Sequence, residues 1–102
     1  MQIALRIIGG AAGPARPEER IDLDSLPGPA ATRLRQLVAD AHFFSLDTRY
    51  RKSAPQSFDF VHEMTVQDGE RTYTIRYDPE AAPAPLRALD DAVVQMRGIT
   101  LP

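Results

Sequence analysis

The feature that most constrains this chain is a strict alternation, "FDFVHEMTVQDGERTYTIRY", over residues 58 to 77. On either side of Asp68-Gly69, apolar side chains fall at every second position: Phe58, Phe60, Met64 and Val66, then Tyr73, Ile75 and Tyr77. A period of two puts such a set on one face of a strand. An Asp-Gly pair between two β-rich runs is a strong short-range hairpin signal. The stretch therefore reads as a hairpin with one apolar face, and that face requires a second layer to cover it.

The same stretch contains "VHEMT", residues 61 to 65, which opens like the zinc-peptidase signature H-E-x-x-H. That signature works because a helix aims two histidines, four residues apart, at one metal. Position 66 here is Val66, and on a strand His62 and Glu63 point to opposite faces. The pair is not a metal site. His62 shares the apolar face, so it reads as a hydrogen-bonded core or edge histidine, with a pH switch or ligand role as the alternative.

The rest of the chain supplies the cover. Residues 2 to 8 alternate, with Ile3, Leu5 and Ile7 on one face, and "EERIDLD" resumes the alternation through Ile21 and Leu23. Between them "GGAAGPARP", residues 9 to 17, breaks both periodicities. This predicts a second hairpin with a long loop. Pro27 and Pro29 suit the start of a helix, with Ser25 or its neighbours as the cap. In that helix Ala30, Leu34, Leu37, Val38 and Ala41 recur at helical spacing. His42 belongs to its last turn, where a partial positive charge suits the dipole, and Phe43, Phe44 and Leu46 close the core at its exit. Residues 47 to 57 are polar and read as a second long loop. A final helix lines Leu86, Leu89, Val93 and Met96 along its core side and turns Arg87, Asp90 and Asp91 to water.

The expected fold is α+β, ordered β-β-α-β-β-α: a four-stranded, mainly antiparallel sheet with two helices on one face. With 102 residues, the chain, 1–102, is expected to be one domain. Its 43% hydrophobic and 25% charged residues are ordinary for a globular protein. A formal charge of −2 gives no electrostatic footprint for nucleic acid. The one basic cluster, Arg49, Tyr50, Arg51 and Lys52, reads as a solvated loop, with a phosphate contact as the alternative. No cysteine is present, which excludes disulfides and thiolate zinc sites and fits a reducing compartment. No run reaches the ~20 apolar residues of a membrane span, and the cytoplasm is the expected location.

Nothing in the residues assembles a catalyst or a cofactor site. His42 and His62 lie in different elements without a carboxylate or nucleophile at a telling spacing, and no serine sits in a G-x-S-x-G elbow. "GGAAG" lacks the lysine and hydroxyl of a phosphate loop and leads into a strand, so no helix N-terminus waits for an anion. Two long loops on a small scaffold point to binding.

Taken in order, "GGAAG" after an apolar strand, "DLDSLP", a helix closing in "FFSL", "FDFVHEMTVQDGERTYTI" and a helix opening "APLRAL" resemble the emfourin family. These are small bacterial proteins that inhibit thermolysin-like metallopeptidases such as protealysin. The resemblance runs from about Ile3 to Met96. It implies a metal-free, non-enzymatic inhibitor whose partner carries the zinc. The expected contact loop is Gly9, Gly10, Ala11, Ala12, Gly13 and Pro14, with Asp47, Arg49 and Tyr50 as a secondary contact. Ala11 departs from the large or aromatic residue that family members tend to carry after the Gly-Gly pair. Glycines let a backbone approach a cleft closely, and Pro14 lowers the ordering cost. The residues alone also permit a plain turn at Gly9-Gly10. The alternative function is a small cytoplasmic protein-interaction module for a non-peptidase partner.

Overall fold

The computed structural model describes residues 1–9, 18–51 and 60–97, with Phe60 and Arg97 described by their backbone only. The elements are β1 (Gln2–Gly9), β2 (Glu19–Asp22), α1 (Gly28–Ala41), β3 (Arg49–Tyr50), β4 (Phe60–Asp68), β5 (Arg71–Tyr77) and α2 (Ala84–Arg97). The strands form one sheet in the order β2-β1-β4-β5-β3.

The β4–β5 hairpin follows the alternation that predicts it. Met64 and Val66 face Ile75 and Tyr73 across the ladder, and Asp68 pairs with Arg71. The tip residues are therefore Gly69 and Glu70, and Gly69 adopts φ 62°. A Gly-first two-residue turn matches the right-handed strand twist and needs a residue free of a Cβ at that position. β4 pairs on its other edge with β1, Gly9 opposite Phe60 and Gln2 opposite Gln67.

The core lies between one sheet face and both helices. Ile3, Leu5, Met64, Val66, Ile75 and Tyr77 from the sheet meet Leu34 and Val38 of α1 and Leu86, Leu89 and Val93 of α2, all at 4% exposure or less. The alternation on strands and the helical spacing on α1 and α2 select the same face, so local and tertiary preferences agree.

The structure differs from the expected fold in several places. The sheet has five strands and is mixed, because Arg49–Tyr50, expected in a loop, pairs parallel with Arg76–Tyr77 of β5. Arg76 N–H donates to Thr48 O at 2.9 Å and Asp78 N–H to Tyr50 O at 2.7 Å. Two residues are too few for a periodic signal, and a parallel pair joins segments distant in sequence. Leu23 is buried as expected, but in a 3-10 turn after β2. Ser25 does not cap α1; its hydroxyl donates to Asp22 O, and Pro27 holds the N-cap with no side-chain cap. His42 lies one residue past α1 as a left-handed C-cap, φ 51°, a conformation that costs an L-residue roughly 1–2 kcal/mol. Phe43 is buried in the next turn, edge-on to Phe44 and Tyr73. Met96, expected in the core, is exposed. Asp90, expected in water, is buried. Phe58 lies outside the described residues, and so does the side chain of Phe60.

Candidate functional site

Strand directions decide where the long connections are anchored. β1 ends at Gly9, directly opposite Phe60, where β4 begins. β2 starts at Glu19, opposite Leu5. On the far side, Tyr50 closes β3 opposite Tyr77, which in turn pairs with His62. Of the anchors of the long connections 10–17 and 52–59, Gly9, Tyr50 and Phe60 therefore lie toward one end of the sheet, while Glu19 sits mid-sheet opposite Leu5. Of the expected contact residues, Gly9 is the last residue of β1, and Gly10, Ala11, Ala12, Gly13 and Pro14 lie outside the described residues. Arg49 and half-buried Tyr50 form edge strand β3, and exposed Asp47 precedes them. The Asp47 N–H donates to the Tyr50 hydroxyl at 3.1 Å, which ties the start of this segment to the strand. Of the basic cluster, Arg51 follows exposed and Lys52 lies outside the described residues.

Beneath this end sits a buried polar cluster. The Tyr77 hydroxyl donates to Asp90 Oδ1 at 2.6 Å, and His62 Nδ1 lies 2.6 Å from the same oxygen. A carboxylate only accepts, so that ring nitrogen carries the proton. All three residues are nearly inaccessible, at 0%, 2% and 3% for Tyr77, Asp90 and His62. Burial, reinforced by the neighbouring Asp90 charge and its hydrogen bond, pushes the Tyr77 phenol well above its ordinary range. His62 is thus the hydrogen-bonded core histidine of the first sequence reading. The cluster fastens α2 to β4 and β5; no substrate can reach it.

No described helix covers the opposite face of the sheet, and its charges form a row. Register places Arg6 opposite Glu63, Glu63 opposite Arg76, and Arg76 opposite Arg49. Glu63 uses both oxygens, accepting from Arg6 Nη2 at 2.8 Å and from Arg76 Nε at 2.7 Å. Its side chain is only 15% exposed, so charge-assisted bonds on both sides hold it more firmly than an ordinary surface pair. Nearer the loop end, half-buried Ile8 pairs with half-buried Val61.

The sequence reading missed Asp90 and this row, for different reasons. Asp90 follows Leu89 and precedes Asp91, so helical spacing alone places it beside either the apolar or the polar face. Arg6, Glu63 and Arg76 are each readable as outward-facing, but only the strand order aligns them.

Among the described residues, no group of three or more His, Asp or Glu side chains is placed to hold a metal ion. No described helix is long and apolar enough to cross a membrane. The architecture is that of a small α+β scaffold, one mixed sheet with two helices packed on one face. A family model described as Emfourin matches residues 5–93, and the chain belongs to the emfourin family. No curated protein matches it, and no solved structure does either.

Proposed function

We propose that this chain, with residues 1–102 acting as one domain, is a non-enzymatic bacterial inhibitor of a thermolysin-like zinc metallopeptidase in the cytoplasm. The emfourin match over residues 5–93 carries the proposal. The Gly9–Pro14 segment covers the active-site cleft, and Asp47, Arg49 and Tyr50 form a secondary contact. The sheet end shared by Gly9, Tyr50 and Phe60 supports this division, because one cleft can then meet both contacts. The buried Tyr77–Asp90–His62 cluster immediately below supplies a rigid base, which lowers the ordering cost of binding. The partner brings the zinc.

The test is a titration of the purified protein against a panel of thermolysin-like peptidases, with serine peptidases as controls. The proposal expects activity of at least one zinc peptidase to fall to a stoichiometric end point and the serine peptidases to be untouched. Full activity across the panel, with the protein shown to be folded, would instead point to an interaction module with a non-peptidase partner.

A further inference from the structure

We infer that the row Arg6–Glu63–Arg76–Arg49, on the sheet face away from the helices, is a second docking surface, matched to an acidic rim beside the peptidase cleft; this rests on the inhibitor reading above. The row spans four strands in register and holds three arginines against one carboxylate. Both Glu63 oxygens are already used. The row therefore keeps a net charge of +2 on a chain whose formal charge is −2. Arg49, exposed at the edge, adds its charge with no acidic partner among the described residues.

The position suits an interface. The row lies one same-face step from the Ile8–Val61 pair, which itself borders the Gly9–Phe60 pair from which the chain leaves the sheet. An apolar patch bordered by charged residues is the usual anatomy of a protein interface. Glu63 fixes the two guanidinium groups that flank it, so their charges are held in place before the partner arrives. Charge arranged in this way acts mainly on the rate of encounter and on partner choice. The partner it fits is a peptidase with carboxylates along the cleft edge adjoining the contact loop.

The opposite ends of the row separate this surface from a loop contact alone. Arg49→Gln tests the end that the row shares with the secondary contact, so the decision rests on the other end. Arg6→Gln tests the far end, on β1, while Glu63 keeps its Arg76 bond. Arg33→Gln, on the exposed face of α1, makes the same change in net charge away from the sheet. Association rates would be measured by progress curves with a peptidase that the parent inhibits, at low and high salt, with melting temperatures recorded for each variant. Both row variants should associate about threefold or more slowly at low salt, and Arg33→Gln less than twofold. The gap should close as the Debye length falls from about 10 Å at 0.1 M to about 3 Å at 1 M. Association of a folded Arg6→Gln at the rate of Arg33→Gln would overturn the docking surface and leave the inhibitor reading standing. Failure of the parent to inhibit any member of the panel would remove both.

Discussion

Replacing Asp90 by alanine should unfold this protein far more readily than its place in a row of helix-surface charges suggests. The side chain is 2% exposed and one oxygen, Oδ1, accepts from both Tyr77 and His62 at 2.6 Å. Truncation leaves two buried donors without that acceptor, at roughly 1–3 kcal/mol each. Two effects offset part of this: alanine gains about 0.5 kcal/mol of helix propensity, and a carboxylate no longer has to be desolvated. The net loss should be about 3 kcal/mol. For a domain of this size that lowers the melting temperature by roughly 12–24 °C and leaves it folded if stability is typical. Asp90→Asn retains an acceptor oxygen but makes the bonds neutral, so it should lose only about 1–2 kcal/mol. Urea unfolding of the parent, Asp90→Ala, Asp90→Asn, Tyr77→Phe and the Tyr77→Phe/Asp90→Ala double variant measures these losses and the Tyr77–Asp90 coupling, expected at about 1 kcal/mol or more. An Asp90→Ala variant within about 0.5 kcal/mol of the parent, as at ordinary surface positions, would refute the reasoning.

Tyr77 should keep its proton while the fold persists. Its folded pKa lies above the unfolded value, so its contribution to stability is complete below about pH 10 and lost as pH rises further; tyrosinate absorbance should show Tyr77 ionising only with alkaline unfolding. With no cysteine in the chain and no described metal cluster, chelator should leave the melting temperature unchanged, and a chelator-dependent melt would contradict the fold argument.

The sequence exposes those parts of the structure that repeat. Period-two alternation identifies β1, β4 and β5, and the helical recurrence of Leu34 and Val38, then of Leu86, Leu89 and Val93, identifies the covering layer. Where a residue's role depends on a neighbour distant in the chain, the pattern is silent. Arg49–Tyr50 becomes a strand only because the edge of β5 is available to it. Asp90 is buried because Tyr77 and His62 wait on the sheet to bond it. The Arg6–Glu63–Arg76 row is visible only after β1, β4 and β5 are set in register. The emfourin resemblance carries the function further than any of these patterns, and the matched residues 5–93 place the chain in that family.

The proposed contact at the Gly9–Pro14 segment is tested most directly by one substitution, Gly10→Trp, with inhibition constant and melting temperature measured beside the parent. A bulky side chain where the backbone must approach the cleft should abolish inhibition. The melting temperature, recorded for each variant, separates a lost contact from a lost fold. Phe43→Ala provides the opposite pattern: it empties a core site at 1% exposure, costs roughly 3–5 kcal/mol, and loses inhibition only as the fold is lost. If Gly10→Trp inhibits as tightly as the parent, the segment does not enter the cleft and the proposed site is wrong.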